Sequence, residues 1–369
     1  MIRVLHVFGL TDRGGAETMI MNYYRNIDRN EIQFDFVNHT TKECAYDQEI
    51  RSMGGRIFHI PKYKGYNHFQ YQKAWRNLFK AHLEYKIIHI HYFSLAGAIV
   101  GVAKKCGVKV RITHAHSVGT NAFKFDLRLI RKLLLKPIMF KYSTHFFACG
   151  KNTGDVYFGK SRKYKIIPIA INTIDFSPNR ETRLLLRKKL NIPNNALVIG
   201  HVGRFTRVKN HSFLLEIFER LNQLHHNCYL VLIGNGSLFN MIERKISLLN
   251  LSHRVRLLGL QSNINEWIQT FDAFVMPSFF EGFPVSVIEA QAAGLPCIIS
   301  DVIDPTVNIT GNVSFVSLNK GVSDWSEAIL KSTKEACKNN FDIIRKTEYD
   351  IKHAVIQLTT FYKKEHDIF

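Results

Sequence analysis

The chain has 369 residues, enough for two domains of ordinary size, and its 46% hydrophobic and 22% charged content excludes a disordered or fibrous protein. Its formal net charge is +20, unevenly placed: residues 1–180 hold 29 Lys+Arg against 12 Asp+Glu, a net of +17, and the remainder only +3. That asymmetry turns one domain toward a polyanion, whether nucleic acid, anionic lipid headgroups or a phosphorylated substrate. The six cysteines are scattered singly, which excludes a zinc scaffold or a small disulfide framework and fits a reducing cytoplasm.

The first strand is expected at 2–8, too short an apolar run for a secretory leader. Asp12-Arg13-Gly14-Gly15-Ala16-Glu17 follows and opens a helical stretch from Thr18 to Asn26. Paired glycines there either bring backbone N–H groups to an anion at a helix start or make a merely tight turn, and the sequence leaves both open. Further strands are expected at 33–38, 56–60, 87–91, 109–113, 145–149 and 165–169, separated by helical patterns. This is the grammar of a parallel sheet with crossover helices.

The apolar region 87–103 carries His89 and His91 and breaks into a strand and a Gly/Ala-rich helix, so no membrane span is expected. His114 and His116 alternate at the end of the next strand, and one of the two is expected to face a ligand. The H-x-H spacing suits a metal, but no carboxylate or cysteine neighbour completes a site, and no metal is expected. From Phe123 to Tyr142 the residues Lys124, Arg128, Arg131, Lys132, Lys136 and Lys141 alternate with apolar ones. Such a basic amphipathic helix fits an anionic membrane surface, and equally a core-facing helix with a solvated basic side.

Ser177-Pro178-Asn179-Arg180 and a basic helix ending before Asn191 mark a linker, expected within about 175–195. The domains are therefore 1–180 and 190–345, followed by a C-terminal helix, 346–369, that crosses back to the first. Strands of the second half are expected at 196–202, 228–233, 254–258, 273–276, 296–300 and 313–316. Both halves are Rossmann-like, and ligands of such sheets bind beyond the carboxyl ends of the strands.

Gly203-Arg204-Phe205-Thr206-Arg207-Val208-Lys209-Asn210 ends the first strand of the second half. Two fixed cations, Arg204 and Lys209, at a glycine-bearing strand end grip a diphosphate from two sides without a metal. Between Pro277 and Pro296 the sequence places Glu281 in a loop, Pro284 in the first turn of a helix, Glu289 in its second turn and Gly294 just past its end. A loop carboxylate, free helix-start N–H groups and a second carboxylate line one pocket for a polyhydroxylated ligand.

These stretches resemble the retaining glycosyltransferases of family 4, which have the GT-B fold: an α/β architecture of two Rossmann-like domains with parallel sheets facing a central cleft. The resemblance rests on Gly203-Arg204-Phe205 with Lys209, and on Glu281 and Glu289 with seven residues between them. Gly14-Gly15-Ala16-Glu17, Thr113-His114-Ala115-His116-Ser117, Ala148-Cys149-Gly150 and Asn172-Thr173-Ile174-Asp175 are similar to the capsular and exopolysaccharide members; Thr173 stands where a glycine is commoner.

The resemblance implies that Arg204 and Lys209 hold the donor diphosphate and stabilise it as it leaves. It implies that Glu289 binds the ribose hydroxyls, and that Glu281 with the backbone of Gly282, Phe283, Pro284 and Val285 holds the transferred sugar. Gly15 closes on donor or acceptor, His116 bonds the sugar or the acceptor, and Gly14, His91 and His114 contact the acceptor. The implied reaction is transfer of a hexose or N-acetylhexosamine from a nucleotide sugar, UDP-linked, to a growing lipid-linked bacterial surface polysaccharide. No cofactor or metal takes part, in keeping with the absence of Asp-x-Asp from the sequence. The implied location is cytoplasmic, peripheral on the inner face of the cell membrane, with an anionic membrane surface as partner. A GT-B epimerase or inverting transferase shares the two-domain plan but lacks this combination of cations and carboxylates. A nucleic-acid binder, suggested by pI ≈ 9.7, lacks any recognisable nucleic-acid motif.

Overall fold

The computed structural model describes residues 1–116, 127–334 and 341–368, with backbone alone for 127–133. All thirteen expected strands are present, and they fall into two parallel sheets.

The first sheet is built from β1 (Ile2–Val7), β2 (Ile32–Asn38), β3 (Ile57–His59), β4 (Ile87–Ile90), β5 (Val110–Ala115), β6 (His145–Ala148) and β7 (Lys165–Ile166). Their order is β3-β2-β1-β4-β5-β6-β7. The crossover helices are α1 (Gly15–Asn26), α2 (Asp47–Ser52), α3 (His68–Ala81), α4 (Ala96–Lys105), α5 (Leu127–Tyr142) and α6 (Lys151–Phe158). The central strands are buried on both faces, which is why they read as unbroken β-branched and aromatic runs. α4 and α5 meet closely at Gly97, where a Cβ would stand 2.0 Å from the carbonyl oxygen of Leu135.

Of the basic stretch 123–142, Lys124 and the side chains of Arg128, Arg131 and Lys132 lie outside the described residues. The described part buries Leu135 and Met139 in the core and leaves Lys136 and Lys141 exposed.

The second sheet contains β8 (Leu197–Val202), β9 (Cys228–Ile233), β10 (Val255–Leu257), β11 (Ala273–Met276), β12 (Cys297–Ser300) and β13 (Val313–Val316) in the order β10-β9-β8-β11-β12-β13. Its helices are α7 (Arg180–Lys189), α8 (His211–Leu224), α9 (Phe239–Leu248), α10 (Ile264–Trp267), α11 (Val285–Ala292), α12 (Val322–Lys334) and α13 (Phe341–Arg345). In each sheet the order reverses beside the first strand, between β1 and β4 and between β8 and β11. These are the switch points at which Rossmann-like sheets bind ligands.

The chain forms two units, 1–170 with 351–369, and 171–350. The crossing at 170–171 falls ahead of the expected 175–195 linker because that segment is part of the second unit. The 3-10 turn Thr173–Phe176 packs against α10, α11 and α13. In α7, Arg183 and Arg187 grip Asp272 at 2.5 and 2.7 Å. Thr173 is buried and donates its hydroxyl to the Asp350 carboxylate, next to the bridge between Ile171 and Asp350. A side-chain hydroxyl at 173 thus joins the two crossing segments. The last helix, α14 (Ile351–Asp367), belongs to the first unit, where Lys363 pairs with Glu31 at 2.6 Å.

Candidate active site

In the second unit the chain leaves β8 and turns at Gly203. The loop is pinned by Gly203 N–H to the Ile233 carbonyl at 3.0 Å and Phe205 N–H to the Asn235 carbonyl at 3.0 Å. Gly234, at φ +135°, lies so close that a Cβ would stand 2.1 Å from the Gly203 carbonyl oxygen. Phe205 is buried and stacks on His211, centroids 4.1 Å apart. The 3-10 turn Arg207–Lys209 and a left-handed Asn210 (φ 54°) then deliver the chain into α8.

Arg204 is exposed and makes no ion pair among the described residues. Lys209 runs its stem against Gly203 and places Nζ 2.8 Å from Oε1 of Glu281, with side chains 16% and 12% exposed. This ion pair lies off the hydrogen-bond angle, and that oxygen has no hydrogen-bond partner among the described residues.

Glu281 stands in the loop after β11, tied to the Lys209 turn by Phe279 N–H donating to the Val208 carbonyl at 2.8 Å. The Ser300 hydroxyl donates to the Ser278 carbonyl at 2.6 Å and braces the same loop from β12. Phe283 is buried, stacked 5.4 Å from Tyr349, and Pro284 is the N-cap of α11 instead of a first-turn residue, one position earlier than expected. Gly282 and Val285 are half-buried beside them. Glu289, in the second turn of α11, makes no hydrogen bond or ion pair among the described residues, and burial pushes its carboxyl up to about 7.

Arg204, Lys209 and Glu281 thus come from the loops after the two strands that flank the switch point. Beneath them His201 donates Nδ1–H to the Val275 carbonyl at 2.8 Å, and among the described residues neither its buried Nε2 nor either ring nitrogen of His211 has a hydrogen-bond partner. Sequence reasoning missed this pair; His201 in a strand and His211 at a helix start carried no spacing signal.

In the first unit, Gly14 caps α1 and Glu17 folds back over it, its Oε2 2.2 Å from where a Gly14 Cβ would sit. A carboxylate so placed favours the tight-turn reading of this glycine pair over an anion site. Gly15 opens α1 with free space at its Cβ position. Four buried histidines and the half-buried His116 lie along neighbouring strands. His6 Nδ1 meets His91 Nε2 at 3.0 Å, and His91 Nδ1 meets His116 Nε2 at 2.7 Å. His89 bonds His114 at 3.0 Å and the Tyr362 hydroxyl at 2.6 Å.

Residues two apart on a strand share a face. His114 and His116 therefore stack at 4.0 Å on one face, which corrects the expected division between two faces; His114 is fully buried and His116 half-buried. Burial depresses all five, His6 and His116 to about 3 and the other three well below the usual imidazole value. Each N···N contact is then one N–H donating to one lone pair. Ligand atoms of His6, His89 and His91, and of His91, His114 and His116, lie within 4.8 Å of one another. Neither set contains a carboxylate to offset a buried dication; one ring nitrogen each of His6, His114 and His116 is engaged with another histidine, and the other has no hydrogen-bond partner among the described residues.

A cavity of about 470 Å³ opens beyond β1, β2 and β4; Leu10, Glu17, His39, Lys62, His91 and Tyr92 are among its lining residues. His39 is fixed there by Nδ1–H to the Phe8 carbonyl and by the Tyr71 hydroxyl, both at 2.8 Å. His91 lines this cavity, whereas His114 is fully buried.

Two family models match the chain: "Glycosyltransferase Family 4" over residues 13–174 and "Glycosyl transferases group 1" over 182–344. EpsF of Bacillus subtilis (strain 168), which bears a glycosyltransferase name, is 37% identical over 99% of this chain and 98% of its own. The chain belongs to the family 4 glycosyltransferases.

Two further relatives extend over the whole length. The UDP-Gal:alpha-D-GlcNAc-diphosphoundecaprenol alpha-1,3-galactosyltransferase of Escherichia coli is 26% identical over 94% of this chain and 95% of its own. The capsular polysaccharide biosynthesis glycosyltransferase CapH of Staphylococcus aureus is 25% identical over 98% and 99%. Among solved structures, Anabaena HepE in complex with UDP and glucose has a TM-score of 0.81 at 14% identity, covering 99% of this chain and all of that one. The fold of this family 4 glycosyltransferase is thus GT-B.

Proposed function

We propose that this glycosyltransferase moves a hexose or N-acetylhexosamine, with retention at the anomeric carbon, from a UDP-sugar to a lipid-linked oligosaccharide, without a metal ion, at the cytoplasmic face of the membrane. The observation that carries the reading is the convergence of Arg204, Lys209 and Glu281 at the β8/β11 switch point, with Lys209 and Glu281 2.8 Å apart. A diphosphate entering there meets two cations on one turn, and Lys209 exchanges part of its pairing with Glu281 for phosphate oxygens. The bond from the sugar C1 to the diphosphate oxygen breaks with its electron pair passing to phosphate, where the two cations take up the developing charge. The acceptor hydroxyl forms the new C1–O bond and passes its proton to the departing diphosphate oxygen. Glu281 and the α11 start receive the sugar hydroxyls, and Glu289 receives the ribose.

The UDP in the HepE structure and the donor and acceptor in the name of the Escherichia coli relative support the choice of UDP and of a lipid-linked acceptor. Retention is supported by the family resemblance of the Glu281-to-Glu289 stretch. The test is donor turnover. Lys209→Ala and Glu289→Ala each lower UDP release at least about tenfold, the scale of a lost charge-assisted hydrogen bond. Unchanged kinetics in either folded variant would remove that residue from the donor site.

A further inference from the structure

We infer that residues 61–80, the loop after β3 and the outer face of α3, are a docking surface for an anionic phospholipid membrane. The inference rests on the lipid-linked acceptor proposed above and names the surface that brings the enzyme to it.

The segment holds five cations, Lys62, Lys64, Lys73, Arg76 and Lys80, and no acidic residue occurs between Glu49 and Glu84. Arg51 and Arg56, nearby in sequence, are held by Glu43, Asp35 and Glu84. None of the five makes an ion pair among the described residues. Tyr71, Trp75 and Phe79 bury the inner face of α3, and Gln72 donates to the Ala98 carbonyl at 3.1 Å. The outer face therefore presents Phe69, Lys73, Arg76 and Lys80 at helical spacing, a stripe about 16 Å long.

At the start of that stripe Phe69 is 85% exposed and Tyr66 is 83% exposed, with Lys64 Nζ 5.8 Å from the Tyr66 ring centroid. The loop that carries Tyr66 is built and not frayed. Asn67 accepts from Lys64 N–H at 2.8 Å and donates to the Lys62 carbonyl at 3.0 Å, while Tyr63 bonds His68 at 3.1 Å.

Two aromatic tips in water beside a row of unpaired cations match the two layers of a bilayer surface. The headgroup phosphates meet the cations, and the rings enter the interface below them. Among polyanions a bilayer is favoured by position. Lys62, at one end of the segment, also lines the 470 Å³ cavity beyond β1, β2 and β4. An acceptor sugar in that cavity and its lipid in the bilayer would then lie at neighbouring points of one unit. That unit, by composition, holds 31 Lys+Arg against 13 Asp+Glu, a net of +18. The surface differs from the 123–142 stretch, whose described part packs Leu135 and Met139 into the core.

The test is co-sedimentation of the full chain with vesicles of phosphatidylglycerol and phosphatidylcholine in equal parts, against phosphatidylcholine alone, at low salt. Wild type pellets with the anionic vesicles only. Lys64→Gln/Lys73→Gln/Arg76→Gln lowers the partition coefficient about a hundredfold, since each cation near such a surface is worth about a factor of five. Phe69→Trp shifts its emission to the blue on anionic vesicles, while the native Trp75, Trp267 and Trp325 are buried and do not respond. Wild type remaining in the supernatant, or a triple variant pelleting like wild type, would overturn the inference. So would a Phe69→Trp emission that moves with a short single-stranded RNA and not with vesicles. UDP release measured on the same samples keeps the two readings apart. Turnover without vesicle binding removes the docking surface alone, and vesicle binding without turnover removes the donor reading alone.

Discussion

Glu289 is the residue whose chemistry is most exposed to measurement. Its carboxyl is held near 7 by burial, well above the ordinary 4.5, so at neutral pH it is divided between acid and carboxylate. Ribose hydroxyls donate to the carboxylate and favour it, so UDP affinity should rise as pH goes from about 6 to 8 and level off above. Calorimetric titration of UDP across that range checks the slope, and Glu289→Gln should flatten it; a wild-type affinity independent of pH removes the ribose role. The linked stability effect has the opposite sense. Between 4.5 and about 7 the folded chain keeps a proton that the unfolded chain has released, so stability from this group falls as pH rises. Glu289 was legible in the sequence because its distance from Glu281 and its helix-turn position are local properties. Its lack of a partner was not, since that depends on what the rest of the unit brings near.

At the scale of elements, the strands were readable because a doubly covered parallel sheet demands unbroken apolar runs, and those runs are local. The histidine network was not readable. His6, His89, His91, His114 and His116 meet only because β1, β4 and β5 are neighbours, a fact of strand order. The mistaken division of His114 from His116 came from treating a two-residue step as a change of face, when it is a return to the same one. The network has a pH signature. Unfolded histidines take up protons below about 6.5, whereas these resist until far lower, so stability is complete above that value and is lost as pH falls through it. The melting temperature should drop steeply between about pH 6.5 and 5, and His114→Gln should reduce the slope by about one proton. A melting temperature constant over that interval would contradict the buried neutral assignment. The loop after β8 gives a mechanical counterpart. Gly234→Ala places a Cβ 2.1 Å from the Gly203 carbonyl oxygen at a positive φ, and should cost about 2 kcal/mol or more in denaturant unfolding while displacing the turn that carries Arg204 and Lys209. Wild-type stability in that variant would mean the two loops are not packed as described.

For the whole molecule, the charge asymmetry seen in composition coincides with the division into units, +18 against +2, so the basic surface and the proposed donor residues lie in different units. Among the described residues no helix is long and apolar enough to cross a membrane. The claim on which the account turns is that two cations at the start of the second unit do the work a metal does elsewhere. Its most direct measurement is nucleotide release, followed by mass spectrometry, from a panel of UDP- and GDP-sugars in excess EDTA, with wild type and Lys209→Ala side by side. The account predicts UDP release by wild type undiminished by EDTA and lowered at least about tenfold in Lys209→Ala. Release abolished by EDTA and restored by Mn²⁺ or Mg²⁺, or a Lys209→Ala variant as active as wild type, would contradict it.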